Sequence, residues 1–249
     1  MSKIGSYKES LDRVGDIDAY LLKESGLPGP RGNIELGQAV ADWGNEKLFE
    51  HLLSFTPDKA PVNSPYEFLA FCGTVGMGRL LADGDVKKFK VIRELASDPR
   101  WRVREGVAMA LQRLGMKDMG RLLDEMEKWS KGNPLEQRAA AAALCEPALL
   151  KDKKLVLRVL KILDNITASM GNAEDRRSDE FVALKKGMGY CWSVAAAASP
   201  EDGKKAMEKW FSSKDKDIIR VMQENLKKNR LERKDPAWVK AWKEHFNIK

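Results

Sequence analysis

Few side chains in this sequence have the types and spacing that metal binding or nucleophilic catalysis needs. The three cysteines, Cys72, Cys145 and Cys191, are far apart and form no C-x-x-C pair, so we expect them to be reduced core residues. The only histidines, His51 and His245, are also far apart. A zinc site or a Ser-His-Asp triad is therefore not expected, and the sequence predicts neither a metal nor a cofactor.

Basic residues recur along the predicted helices and offer another chemistry, the binding of anions. The basic candidates for binding are Arg102, Arg113, Lys185, Lys227, Lys228 and Arg230. Lysine and arginine side chains that line one surface can follow a phosphate backbone, with an affinity that falls as salt rises. The alternative is a solvated face whose cations favour helix C-termini, which suits the run at 226–230.

The loop Ser25–Asn33 ("SGLPGPRGN") is rich in proline and glycine and lies before a predicted helix. Arg31, together with the free N–H groups at that helix start, could hold an anion. The alternative that we favour is a rigid connector, with Asn33 as the N-cap of the helix.

Three glycines in the stretch 72–84 ("CGTVGMGRLLADG") match neither a dinucleotide-binding motif nor a P-loop. Because the surrounding sequence has helical periodicity, we expect these glycines to allow helices to cross closely. They are Gly73, Gly76 and Gly78.

The elements that must position these residues are helices, since periodicity of 3.6 residues dominates and alternating runs are hard to find. Two helices are predicted on either side of Asp98–Pro99, with Asp98 as the N-cap and Gly115 as the C′ residue of the second. Asn133–Pro134 repeats this junction 35 residues later. Self-similarity at this period predicts a stack of helical hairpins.

The segment "DPRWRVREGVAMALQRLG" (98–115) resembles the second helix of a HEAT repeat, and "NPLEQRAAAAAL" and "KDKDIIRVMQENL" are weaker copies. The resemblance covers roughly residues 45–231. It implies an all-α fold, an α-α superhelix (HEAT-like solenoid) of about five helical hairpins. It also implies that Asp98 and Arg104 belong to a ladder between neighbouring hairpins.

The remaining side chains of this segment divide between packing and binding. We expect Trp101 to pack at the start of the helix as an aromatic anchor, although it is also a binding candidate. Arg102, Glu105 and Arg113 fall on a different stripe from the apolar residues, so we expect them to face away from the core and to be free for a partner.

We predict a single domain over residues 1–249. It comprises an irregular N-terminal cap (1–45), hairpin repeats (46–231) and a C-terminal helix (235–249) that seals the open end of the stack. The N-terminus has no apolar h-region, and no apolar run approaches the length that spans a bilayer. We therefore expect a cytoplasmic protein without a membrane partner, and we favour a monomer.

Charge is unevenly shared along the chain, whose formal net charge is +7. Residues 1–84 carry a net charge of −4 and residues 85–249 one of +11. The excess of positive charge in residues 85–249 favours a polyanionic partner for that part of the chain. The sequence thus predicts a non-enzymatic binding protein whose basic concave face contacts nucleic acid, DNA above all, or an acidic protein surface.

The resemblance extends distantly to the HEAT-like DNA alkylation-repair glycosylases, which implies an alternative function. Such enzymes need a carboxylate to stabilise positive charge on the sugar and aromatic faces to hold the lesion. Under this alternative Glu105 is the catalytic acid, and Trp101 and Trp192 are the aromatic walls. The sequence departs from that family, because no tryptophan is followed four residues later by aspartate.

Overall fold

The computed structural model describes residues 2–248, and within that range it contains fifteen α-helices, one short 3-10 turn and no β-strand. The predicted all-α class is confirmed. The chain divides into two compact units, unit 1 up to Asp118 and unit 2 from Met119. The single domain over residues 1–249 and the superhelical arrangement stay predictions.

Unit 1 is built around one long buried helix. Its helices are α1 (Lys3–Leu11), α2 (Ile17–Glu24), α3 (Ile34–Trp43), α4 (Glu46–Leu53), α5 (Pro65–Ala82), α6 (Lys88–Leu95) and α7 (Trp101–Lys117). Helix α5 packs against α2, α3, α4, α6 and α7. It is apolar on all sides, as expected of a helix that neighbours surround.

The expected irregular cap at 1–45 differs from the structure, which has three helices there. Each begins at a side chain that accepts a backbone N–H, from Ser2 in α1, Asp16 in α2 and Asn33 in α3. The predicted N-cap at Asn33 is confirmed, since its Oδ1 accepts from the Leu36 N–H at 3.2 Å. Good N-caps offset the short length of these helices.

The predicted ends of α7 are wrong. The helix begins at Trp101 with Arg100 as N-cap, because the Asp98 carboxylate accepts the Arg100 N–H at 2.8 Å and forms a turn before the helix. The helix also continues through Gly115, which is buried, to Lys117. Packing within unit 1 outweighs the cost of about 1 kcal/mol for glycine in a helix.

The glycines of α5 allow close helix crossing, as predicted. A Cβ on Gly76 would overlap the Phe49 ring of α4, and one on Gly78 would overlap the backbone of Ala110 in α7. The missing side chains therefore set the spacing of α4, α5 and α7.

Unit 2 is likewise built around one long helix. Its helices are α8 (Met119–Trp129), α9 (Pro134–Leu144), α10 (Lys153–Gly171), α11 (Asp179–Ala198), α12 (Pro200–Phe211), α13 (Lys216–Leu226), α14 (Asn229–Glu232) and α15 (Pro236–His245). A 3-10 turn, Pro147–Leu149, follows α9. Helix α11 packs against α9, α10, α12, α13 and α14. The predicted Asn133 cap is confirmed, since its Oδ1 accepts from the Leu135 and Glu136 N–H groups.

Consecutive helices pack as pairs within each unit: α4 with α5, α6 with α7, α8 with α9, α10 with α11, and α12 with α13. The second helices of neighbouring pairs also touch, α5 with α7 and α9 with α11 and then α13. Helix α15 packs on α13 and α14, and its Trp238 and Trp242 rings contact Phe211. Among the described helices, none combines the length and apolar character needed to cross a membrane.

Candidate functional site

Arg102 lies in unit 1 and is used by the fold, so the expectation that it is free for a partner is wrong. Its side chain is only 12% exposed. One guanidinium nitrogen, Nη2, donates to the Pro30 carbonyl at 2.6 Å, and Nη1 donates to Glu105 Oε2 at 3.1 Å. Arg102 therefore fixes the loop before α3 and occupies the carboxylate that was the candidate catalytic acid.

Arg113 is also occupied within unit 1, which corrects the same expectation. Its side chain is 18% exposed. Nη1 donates to Asp42 Oδ1 at 2.6 Å and Nη2 to the Gln38 carbonyl at 3.1 Å. Arg113 thus ties α7 to α3.

Asp98, Arg104 and Trp101 lie at or near the start of α7. The Asp98 carboxylate is held by Arg100, which donates from Nε at 2.9 Å and from Nη2 at 2.7 Å. Arg104 donates to the Asp98 and Pro99 carbonyls. Arg104 therefore stabilises its own junction, and the ladder between neighbouring hairpins stays a prediction. Trp101 is 44% exposed, so its indole lies at the surface.

The loop Ser25–Asn33 is held by its own hydrogen bonds. The Ser25 carbonyl accepts from the Asn33 N–H at 2.8 Å, and the buried Ser25 Oγ accepts from the Leu27 N–H at 3.1 Å. Arg31 pairs with Glu35 at 3.2 Å. These contacts favour the rigid connector over an anion site.

Trp192 is a core residue of unit 2, which excludes it as an aromatic wall. Its side chain is fully buried, and its Nε1 donates to Thr167 Oγ1 at 3.0 Å. No ring face of Trp192 is left for a ligand. Trp192 is buried because α10 packs against α11, and the residue type alone does not predict this contact.

Three of the four remaining basic candidates, Lys227, Lys228 and Arg230, line a cavity of about 640 Å³ in unit 2. The cationic lining residues of this cavity all follow α13 in the chain and are Lys227, Lys228, Arg230 and Arg233, with Asn229 among them. Its apolar lining residues belong to other elements, the turn after α9 and the last turns of α11, and are Pro147, Leu150, Val194, Ala197 and Ala198. The cavity therefore offers an anion site next to an apolar wall.

A second cavity of about 380 Å³ lies beside the first and shares Lys228 with it. Its lining residues come from α11, from α13 and from the position just after the C-cap of α13: Lys185, Lys186, Gly189, Tyr190, Arg220, Val221, Glu224 and Lys228. Together the two cavities form what we call the basic groove. Its cations are Lys185, Lys186, Arg220, Lys227, Lys228, Arg230 and Arg233.

Carboxylates neutralise only part of the basic groove. Glu224, the one carboxylate among its lining residues, pairs with Lys227 at 2.9 Å and with Arg220 at 3.4 Å. The hydrogen bond from Lys227 is the main cause that lowers the pKa of Glu224, and the charges of Arg220 and Lys228 add to it. Within residues 2–248, no carboxylate lies at ion-pair distance from Lys228 or Arg233.

Lys185 is only partly available, since its Nζ donates to Asp217 Oδ1 at 2.8 Å. Asp217 does not line either cavity but also accepts from Arg176. We therefore place Lys185 at the edge of the groove as a weaker contributor than Lys228 or Arg233.

Arg230 and Tyr190 form a stacked pair at the junction of the two cavities. Arg230 Nη2 donates to the Tyr190 hydroxyl at 2.6 Å, and its guanidinium carbon lies 4.3 Å from the ring centroid. A tyrosine hydroxyl does not cancel the charge of Arg230, and no carboxylate of residues 2–248 lies at ion-pair distance from it. Tyr190 itself is 42% exposed and presents an aromatic surface inside a cationic site.

All three cysteines are buried and free, in line with the prediction of core residues. Burial raises the pKa of the Cys72 and Cys145 thiols well above their ordinary value, and a hydrogen bond with Cys191 adds to the effect at Cys145. The neutral thiol is the poorer nucleophile, so these groups do not favour covalent chemistry. In the described part of the chain, no cluster of three or more His, Cys, Asp or Glu could hold a metal ion.

Four cationic or aromatic residues of the groove were not among the sequence candidates, namely Lys186, Tyr190, Arg220 and Arg233. Helical spacing was a usable signal for two of them. Arg220 stands four residues before Glu224, and Tyr190 stands four residues after Lys186, so each pair shares one helix face. Arg233 had no such signal, since it follows the short helix α14.

Comparison with protein-family models finds none that matches this chain, and comparison with curated proteins finds no match either.

Proposed function

We propose that this protein binds nucleic acid through the basic groove of unit 2 and acts as a binding protein without catalysis of its own. The observation that carries the proposal is the run of cations along two adjoining cavities that share Lys228, with a single lining carboxylate. Such a surface suits a chain of phosphates, because lysine and arginine side chains that neutralise phosphates release the counter-ions condensed on the nucleic acid.

The charge of the whole chain supports the same surface. Unit 1 carries 17 basic and 17 acidic residues, whereas unit 2 carries 27 basic and 20 acidic residues. The net charge of +7 therefore belongs entirely to unit 2. A net field of this sign speeds association with a polyanion and makes it dependent on salt.

Tyr190 favours nucleic acid over a polyanion without bases. An exposed aromatic ring inside a cationic groove is a stacking platform for bases, worth about 1–3 kcal/mol per stacked base. Arg230 covers part of the ring and adds its own planar surface. The expected affinity gain from stacking is largest for single strands, whose bases are free.

Fluorescence anisotropy of a labelled oligonucleotide across a salt titration tests the proposal. We expect binding to weaken steeply with salt, and Lys228→Glu or Arg233→Glu to weaken it roughly tenfold and to lower the salt slope by about 1 to 2. Lys214→Glu is the matched control, since Lys214 is exposed and lies before α13, at the end opposite to Lys227. Equal losses in all three variants would point to net charge rather than the groove.

An acidic protein surface is the other partner class that the charges of unit 2 suit. A polyglutamate peptide in the same titration separates the two classes. If the peptide binds and neither single-stranded nor duplex DNA does at low salt, the nucleic-acid proposal fails and the acidic-protein alternative replaces it.

The glycosylase alternative stays a prediction that the described contacts do not favour. Glu105 is paired with Arg102, and Trp192 is buried in the core of unit 2. Its direct test is release of an alkylated base by the unmodified protein and by Glu105→Gln.

A further inference from the structure

The larger cavity of the basic groove has two chemically different sets of lining residues, and this difference points to the ligand it takes. The cationic set is Lys227, Lys228, Arg230 and Arg233, and the apolar set is Pro147, Leu150, Val194 and two alanines. A ligand that satisfies both must carry a compact negative charge next to an apolar, flat body. At about 640 Å³ the cavity has the size of small-molecule sites, which span roughly 300–1,000 Å³.

The charge of the four cationic lining residues favours a ligand that carries two negative charges. Among the described residues, Lys227 is the only one of the four cations with a carboxylate partner, Glu224. Arg230 contacts the neutral Tyr190 hydroxyl, and in the described residues neither Lys228 nor Arg233 has an ion-pair partner. A phosphodiester inside a strand carries one negative charge, whereas a phosphomonoester carries about −1.5 to −2 at neutral pH. The excess of positive charge is therefore matched better by a terminal phosphate.

The apolar lining residues would contact the base of a nucleotide. Val194, Ala197 and Ala198 lie on the last turns of α11, and Pro147 and Leu150 belong to the turn that follows α9. None of these five side chains offers a hydrogen-bond donor or acceptor, so they would contact a base by its face and without sequence preference. Tyr190, beside Arg230, lies where the next base of a strand could stack.

We infer that this cavity binds the phosphorylated terminal nucleotide of a nucleic-acid strand, with the phosphate on Lys228, Arg230 and Arg233 and the base against the apolar wall. The inference rests on the proposed function and deepens it. It adds that the protein prefers ends that carry a phosphate over ends that carry a hydroxyl. The smaller cavity would then hold the neighbouring part of the strand.

The test uses the full chain and one 12-nucleotide single strand in three forms: hydroxyl at both ends, phosphate at the 5′ end, and phosphate at the 3′ end. Competition against a labelled hydroxyl-ended strand gives the three affinities. We expect one phosphorylated form to bind about five- to tenfold more tightly than the hydroxyl form. Arg233→Ala should reduce this preference to about twofold or less, and Lys214→Ala should leave it unchanged.

The failures of the two proposals are distinguishable. Equal affinities for the three strands overturn the terminal-nucleotide site and leave groove binding in place, whereas no binding of any strand at low salt overturns both. A preference that Arg233→Ala and Lys228→Ala both leave intact places the end contact elsewhere and also overturns the inference. The last part of the test compares free mononucleotide with inorganic phosphate as competitors. Equal competition by the two would show that the apolar lining residues add nothing to the affinity.

Discussion

The Arg102 backbone N–H donates to Glu67 Oε1 at 2.9 Å, which joins the first turn of α7 to the first turn of α5. The other carboxylate oxygen, Oε2, accepts from the Asn63 N–H at 2.5 Å. Glu67 is buried, so one side chain satisfies two backbone donors at places where the helices themselves supply no acceptor. The junction of α5 and α7 therefore depends on a buried carboxylate.

Removal of this carboxylate should destabilise unit 1. We expect Glu67→Ala to lower the free energy of unfolding by about 2–4 kcal/mol, because two partly buried N–H groups lose their acceptor. Urea unfolding followed by circular dichroism measures the change. Glu50→Ala, at an exposed position of α4, is the control and should change stability by no more than about 0.5 kcal/mol. Equal effects of the two variants would show that Glu67 is not a structural anchor.

The contact between Gly78 and Ala110 predicts that a single methyl group is too large at this crossing. Gly78→Ala should destabilise the protein by about 1–3 kcal/mol through overpacking of α5 against α7, despite the better helix propensity of alanine. Thermal unfolding is the measurement. Gly15→Ala should be close to neutral, since its new Cβ would meet no heavy atom within 4 Å. A neutral Gly78→Ala would mean that α5 and α7 can move apart at no cost.

The ion pair of Arg176 with Asp215 predicts a dependence of stability on pH in unit 2. Arg176 Nη2 lies 2.7 Å from Asp215 Oδ2, and this hydrogen bond is the main cause that lowers the pKa of Asp215 below its ordinary value of 3.8. A carboxylate with a lowered pKa contributes stability above its unfolded-state pKa and loses it as pH falls through the folded-state pKa. The contribution should therefore be full at pH 7 and should fade below about pH 4.

Asp215→Asn tests this dependence, because asparagine can still cap α13 but cannot carry the charge. At pH 7 we expect a loss of about 0.5–1 kcal/mol, a modest value because Arg176 is a third exposed. Unfolding at pH 7, 5 and 3 should show a gap between variant and unmodified protein that narrows with acid. Glu174→Gln removes an exposed carboxylate as control and should leave stability at pH 7 within about 0.5 kcal/mol. A gap for Asp215→Asn that is the same at pH 3 and pH 7 would contradict the ion-pair explanation.

Local patterns predicted the helices well. Apolar spacing, N-cap residues such as Asn33 and Asn133, and prolines at helix starts act over four or five residues, so they can be read directly from the chain. The same local rules placed the start of α7 at Asp98–Pro99 and its end at Gly115 wrongly. There the Asp98 side chain binds Arg100 instead, and buried packing carries the helix past the glycine.

The sequence by itself determined that the protein is all-α, where most helices lie, and that the excess of positive charge is in the second half. Tertiary structure alone decided which basic residues are available. Arg102 and Arg113 are held by partners 72 and 71 residues away, whereas residues separated by more than 40 positions, Lys186 and Arg233 among them, line one groove. The sequence does not show whether a charged side chain binds a carbonyl of its own fold or faces solvent. Only the three-dimensional arrangement distinguishes the two, because the partner that satisfies it comes from a distant part of the chain.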